Sequence, residues 1–150
     1  MVPSEAAAGP KMKVLVPINF SHKSEMALDF ALRYSRIANV DIYLFHVFEE
    51  SSNNYRELDR LNEEYLERMK QTVIHAIDRL TALGLSLSVD DVYRRISNGK
   101  PAKEILKMAG GIGADMIIMG AWSTRAFKKV VATAPCSVVL LKDKNPDFVM

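Results

Sequence analysis

Two short segments carry the residue types that could hold an anion or a nucleotide. One is Pro17-Ile18-Asn19-Phe20-Ser21, and the other is Met119-Gly120-Ala121-Trp122-Ser123-Thr124. Each closes an apolar run and opens a segment with helical periodicity. In the second, a glycine followed by two hydroxyl residues at a helix start offers free N–H groups and oxygen donors to a phosphate or sulfate. The same hydroxyls serve equally well as helix caps. Catalytic residue types are sparse. His22, His46 and His75 fall on three different segments, and His46 lies inside an apolar run, where a core histidine bonded to backbone is expected rather than a base. Neither Gly-x-Ser-x-Gly nor Cys-x-x-Cys occurs, and no His, Asp and Glu stand at metal-ligand spacing. No nucleophile with its base and orienting group is visible, so the chain reads as a non-enzyme. A phosphoacceptor receiver domain is excluded, because the first apolar run ends in Asn19 without an acidic pair and the third ends in Ile96-Ser97 without Asp.

The elements that position these turns follow from periodicity. Lys13 to Ile18, Asp41 to Phe48, Leu85 to Ser97, Asp115 to Gly120 and Ser137 to Leu141 read as strands. Asp90, Asp91, Arg94 and Arg95 break the apolar character of the third, which suits a sheet edge. Between the strands, Met26, Ala27, Phe30, Ala31, Tyr34, Ile37 and Ala38 recur at helical spacing, as do Leu58, Leu61, Tyr65, Met69, Val73, Ile77 and Leu80. Ser21 is the expected N-cap of the first helix, and Gly84 the stop after the second. Pro101 suits the first position of a third helix, which Gly110-Gly111-Ile112-Gly113 should end. A short fourth helix spans Thr124 to about Ala132. Strictly alternating strands and helices require a parallel sheet covered on both faces, since parallel neighbours need crossover connections. In such sheets ligands bind beyond the carboxyl ends of the strands, where both turns lie.

Composition narrows the partners. The chain has 150 residues, 49% hydrophobic and 25% charged, with a net charge of +2. That surplus is too small to argue for nucleic acid, and Arg125, Lys128 and Lys129 read as a solvated helix face. The single cysteine, Cys136, excludes an intrachain disulfide and fits a reducing, cytoplasmic setting. No apolar run reaches the ~18 residues needed to span a membrane. Residues 1–11 are expected to be a frayed leader, 12–142 one domain, and 143–150 a polar tail.

Several segments, in order, resemble the universal stress protein family. They are Lys13 to Ser21, Ser24 to Ala31, Leu44-Phe45-His46-Val47, Asn98-Gly99-Lys100-Pro101-Ala102-Lys103-Glu104-Ile105-Leu106, Ala114 to Gly120 and Ala134-Pro135-Cys136-Ser137-Val138-Val139-Leu140-Leu141. The resemblance implies a Rossmann-like, adenine nucleotide alpha hydrolase-like fold: an α/β domain with a five-stranded parallel sheet in the order 3-2-1-4-5 and helices on both faces. It also implies a stress-response protein and a homodimer. The fifth strand would then be an edge, and its apolar run Val138, Val139, Leu140 and Leu141 the pairing surface. One branch of the family binds ATP through Gly-x2-Gly-x9-Gly-Ser/Thr after the fourth strand, with an Asp ending the first. Here Gly120 matches the first glycine, Ser123 replaces the second, Asn19 replaces the Asp, and the segment to Pro135 is too short for both loop and helix. Val47 matches a position near the adenine. Asn19, Val47, Gly120, Ser123 and Thr124 are therefore the residues of a remnant nucleotide or anion site. The expectation is a homodimer with no cofactor. The alternative is an adenine-nucleotide-binding member with ATP as ligand, slow ATPase activity or nucleotide-dependent signalling.

Overall fold

The computed structural model describes residues 11–51, 54–121 and 124–142. Its strands are β1 (Met12–Ile18), β2 (Val40–Phe48), β3 (Val92–Asn98), β4 (Met116–Gly120) and β5 (Ser137–Leu141). Its helices are α1 (His22–Tyr34), α2 (Tyr55–Thr81), α3 (Pro101–Ile112) and α4 (Thr124–Thr133). The sheet is parallel throughout, in the order β3-β2-β1-β4-β5.

Period-two alternation splits the core in two. Val14, Val16, Ile18, Ile42, Leu44 and Ile118 pack against Ala27, Leu28, Ala31 and Leu32 of α1 and Met69, Val73, Ala76 and Leu80 of α2. Leu15, Phe45, Ile117 and Met119 face the other way, onto Ile105 and Ala109 of α3 and Val130 of α4. The central strands are apolar on both faces because helices cover both. β1 and β4 thus bring Asn19 and Gly120 to the carboxyl ends of adjacent strands.

Three boundaries differ from the sequence reading. The first helix ends at Tyr34 and not near Ala38; Ser35 caps it, turn bonds from Arg36, Ile37 and Ala38 follow, and Ile37 is 84% exposed. Its apolar spacing was coincidental with the stripe. The third strand begins at Val92 and not Leu85. Asp90 and Asp91 belong to a 3-10 turn closed by a capping box, in which Ser88 accepts from the Asp90 N–H and the Asp91 carboxylate accepts from the Ser88 N–H. These acids cap a turn, and only Arg94 and Arg95 sit on the edge strand. Gly110 and Gly111 lie inside α3. The stop is Gly113, whose φ of +67° places it in the left-handed region that lets a C-terminal N–H fold back.

Candidate functional site

The β1–α1 turn is held by its own polar groups. The Asn19 side-chain oxygen accepts from the Ser21 N–H at 3.0 Å, and the Asn19 N–H donates to Ser24 Oγ at 3.2 Å. Ser21 caps α1 by accepting from the Ser24 N–H at 3.3 Å. Ser24, fully buried, returns its own hydroxyl to the Ser21 carbonyl at 3.0 Å. Asn19 therefore already has a role as a turn former, with its remaining surface exposed. Phe20 adopts φ +64°, alone among the described non-glycine residues in having positive φ. That left-handed conformation costs a bulky side chain roughly 1–2 kcal/mol, so the surrounding packing must hold it.

The packing that holds it centres on His46. This residue is 7% exposed and lies at the carboxyl end of β2, on the face covered by α2. Its Nδ1 is 2.8 Å from the Ile18 carbonyl oxygen. A carbonyl only accepts, so the proton sits on Nδ1 and Nε2 carries the lone pair. This is the backbone-bonded core histidine expected from the sequence. Nε2 is the one buried side-chain polar atom without a hydrogen-bond partner among the described residues. Aromatic rings surround the imidazole, with Phe20 at 4.7 Å, Tyr65 at 4.5 Å and Phe48 stacked on Tyr65 at 5.2 Å. The Arg68 guanidinium lies 4.1 Å over the Phe20 ring. Burial holds the His46 pKa below the ordinary histidine value. The Ile18 hydrogen bond opposes that shift, and the positive charge of Arg68 adds to it. A proton on Nε2 would enter an apolar cage beside another cation, so this imidazole is neutral at neutral pH.

Of the expected remnant-site residues, Asn19 and Val47 come together. With Pro17, Ile18, Phe45, Pro101 and Ile105 they line a cleft of about 80 Å³ between β1, β2 and the start of α3. Pockets that enclose a drug-sized ligand run to about 300–1,000 Å³, so this cleft takes a fragment at most. Gly120 is buried at the end of β4, and its Cα is covered by α1. A Cβ there would stand 2.2 Å from the Lys23 carbonyl oxygen and 2.5 Å from its carbon. Glycine at this position is a packing requirement, whatever else it does. Ser123, with Trp122, lies outside the described residues, as does the Thr124 side chain; Thr124 itself opens α4. Only residues 121–123 separate β4 from α4, and only 134–136 separate α4 from β5.

At the start of α3, Pro101 takes the first position and Lys100 gives no side-chain cap. Glu104 folds back instead, accepts from the Ser97 hydroxyl at 2.5 Å and lies over Gly99, where a Cβ would meet it at 2.8 Å. Its carboxylate in the first turn suits the helix dipole. Cys136 is half-buried, and burial, with the nearby Asp115 charge, pushes its thiol up, which disfavours the thiolate that a nucleophile needs. Among the described residues no group of three His, Cys, Asp or Glu could hold a metal ion, and no helix is long and apolar enough to cross a membrane.

This fold is shared with known proteins. The profile of the universal stress protein family matches residues 11–142. The chain belongs to the universal stress protein family. It is 24% identical to universal stress protein MJ0577 of Methanocaldococcus jannaschii over 152 residues, covering 92% of this chain and 93% of that protein. The MJ0577 structure superposes with a TM-score of 0.63 at 26% identity, over 89% of this chain and 96% of that one. A universal stress protein from Lactobacillus plantarum gives 0.60 at 22% identity, over 87% and 97%. One from Archaeoglobus fulgidus, solved in complex with dAMP, gives 0.59 at 18% identity, over 86% and 96%, which speaks for the fold alone.

Within the universal stress protein fold, the backbone-bonded character of His46 was legible in the sequence, and Asn19 and Val47 share a cleft. Sequence reasoning missed Phe20, Tyr65, Arg68 and Lys23. The signal for the first three was faint: a bulky aromatic at a turn, and Tyr65 and Arg68 three apart on one helix face. Nothing local announces Lys23, because its part is a backbone carbonyl.

Proposed function

We propose that this universal stress protein acts through its folded surface as a homodimer, without a catalytic step and without the glycine-loop grip on ATP. The observation that carries the reading is the span from Gly120 to Ser137. A triphosphate needs several backbone N–H groups converging on its oxygens, and glycines permit that approach. Here three residues connect β4 to α4, and Gly120 is the sole glycine between β4 and the end of the described chain. Gly120 has its Cα against the Lys23 carbonyl. Asn19 offers no carboxylate, and Glu104 puts a negative charge at the start of α3, where a phosphate would be repelled.

The dimer reading rests on β5. The Leu141 carbonyl accepts from the Ala121 N–H at 3.1 Å, so Leu141 turns its backbone toward β4. By alternation Val139 does the same, while Val138 and Leu140 present N–H and C=O groups to the free edge. Their side chains, with Val139 and Leu141, are only partly buried against the two cores. An apolar edge with no charge before Lys142 pairs readily with another chain, and a two-fold axis lets both copies satisfy each other. Sedimentation equilibrium at micromolar concentration tests this: a dimer is expected, and a monomer sinks the reading.

The second reading is an adenine-nucleotide-binding member. It is favoured by the relative solved with dAMP and by another universal stress protein solved in complex with cAMP. Both ligands are monophosphates. The cleft of Asn19, Val47, Pro101 and Ile105 is where such a base would begin to fit. Nucleotide released from purified protein by denaturation and identified by chromatography decides between the readings.

A further inference from the structure

We propose that Phe20, His46, Tyr65 and Arg68 form an acid-sensitive latch on the β1–α1 turn, closed while the imidazole is neutral and opened when Nε2 takes a proton from solvent. The inference goes beyond the proposed function and depends on neither the dimer nor the absence of nucleotide.

Three independent features meet at this place. The first is an orphaned acceptor: His46 is 7% exposed, its Nδ1–H is committed to the Ile18 carbonyl, and its Nε2 has no partner. Buried polar groups left unpaired are uncommon, and each one asks for an explanation. The second is a strained cover: Phe20 lies against the imidazole from a left-handed backbone that favours glycine. Such outliers persist only where their surroundings over-determine them, and they gather at switch regions. The third is a positive charge: the exposed Arg68 lies 4.1 Å over the ring of the same cover.

The groups that face His46 give a protonated Nε2 no hydrogen-bond acceptor and no negative charge; the Phe20 and Tyr65 rings offer only a weak cation–π attraction, which the Arg68 charge opposes. From α2 come the Tyr65 ring and the Arg68 guanidinium; from the turn comes the Phe20 ring; from β1 comes the Ile18 carbonyl, already used by Nδ1. Ile96 of β3 pairs with His46 across the sheet and is uncharged. The charge that acts on the imidazole is that of Arg68, and it repels. Arg68 also occupies a face of the Phe20 ring, so that face is not free to stabilise an imidazolium. Once Nε2 carries a proton it is a buried donor with no acceptor, and the positive charge must reach water. Tyr65 lies on a 27-residue helix, and His46 and Phe48 lie on a central strand. Phe20 alone sits on a turn, and leaving its positive φ relieves strain. Phe20 is therefore the part that moves. Asn19, which precedes it, lines the cleft, and Ser21, which follows it, caps α1. Opening the latch thus alters the candidate surface and the first turn of α1 together.

The test is an NMR titration from pH 8 to pH 4.5 on the full chain, following the His46 imidazole and the amides of Phe20 and Ser21. The expected result is one shared midpoint, below that of a free histidine, with the amides of Ile117 and Ile118 unmoved. His46→Asn keeps a donor for the Ile18 carbonyl and removes the titrating group, so the turn amides should lose their response. Phe20→Gly removes the cover and suits the positive φ, and Arg68→Gln removes the repelling charge. Each should raise the His46 midpoint toward the free value. These two variants keep the proposal falsifiable if His46→Asn fails to fold. A pH-independent turn in the parent, a response that survives His46→Asn, or unchanged midpoints in both Phe20→Gly and Arg68→Gln overturns the latch. So does movement of the Ile117 and Ile118 amides at the same midpoint, which would mark global unfolding.

Discussion

Replacing Gly120 by alanine adds one carbon at a point where there is no room. The new Cβ would stand 2.2 Å from the Lys23 carbonyl oxygen, 2.5 Å from the carbonyl carbon and 3.1 Å from the Lys23 Cβ. A relaxed C···O contact is about 3.3–3.6 Å, so β4 and the first turn of α1 must part by about 1 Å. That turn cannot part alone. Ser24, Ala27 and Leu28 are fully buried beneath it and move with it. Overpacking typically costs about 1–3 kcal/mol, and a clash of backbone with backbone belongs at the top of that range. With about 2.1 cal/mol/K of unfolding entropy per residue, a domain of this size carries about 0.3 kcal/mol/K, so about 3 kcal/mol lowers Tm by about 10 °C. The controls are Gly110→Ala and Gly111→Ala. Both positions lie inside α3 with nothing within 4 Å of a new Cβ, and each should gain about 0.5–1 kcal/mol from helix propensity. Thermal melts by far-UV circular dichroism read all three variants. If Gly120→Ala melts within about 2 °C of the parent, scaled by the same entropy, the assignment of this glycine to packing is wrong.

Ser24→Ala removes the acceptor of the Asn19 N–H and a link to the Ser21 carbonyl in a fully buried setting, and should cost about 1–3 kcal/mol in urea denaturation. Val138→Pro removes an N–H turned to the free edge while leaving the backbone contacts of Val139 and Leu141 with β4, so light scattering should show monomers that keep the parent circular dichroism spectrum. Stability should fall on acidification because His46 has a lowered pKa when folded. The unfolded chain binds its proton first, as pH falls through about 6.5, so stability is full above that value and declines until the folded group also titrates. The slope from one such group reaches at most about 1.4 kcal/mol per pH unit. Urea melts at pH 7.5 and 5.5 should show the loss, and His46→Asn should reduce it.

The parallel sheet and its order were legible because each strand is a short apolar run set between helical periods, and because the ordered segments from Lys13 to Leu141 resemble one family. What was not legible depends on contacts between distant parts of the chain. Apolar spacing ran on to Ala38, yet α1 stops at Tyr34, because Ile37 finds no core to enter and is left exposed. Asp90 and Asp91 looked like edge charges, but Ser88 draws them into a capped turn. At the site, the hydrogen bond of His46 to backbone followed from its place in an apolar strand. The left-handed Phe20 and the Arg68 that covers it did not, since no local pattern demands a positive φ from phenylalanine. Gly120 is the sharpest case. The family resemblance directs attention to a phosphate, whereas the carbonyl pressed on it belongs to Lys23, nearly a hundred residues earlier in the chain.

The central claim is that the glycine-loop mode of ATP binding is absent, and isothermal titration calorimetry of the purified, nucleotide-free chain with ATP and magnesium tests it directly. Three residues between β4 and α4, a Gly120 covered by Lys23 and a cleft of about 80 Å³ predict no saturable heat at low micromolar protein. A stoichiometric isotherm with a low-micromolar Kd would contradict the account.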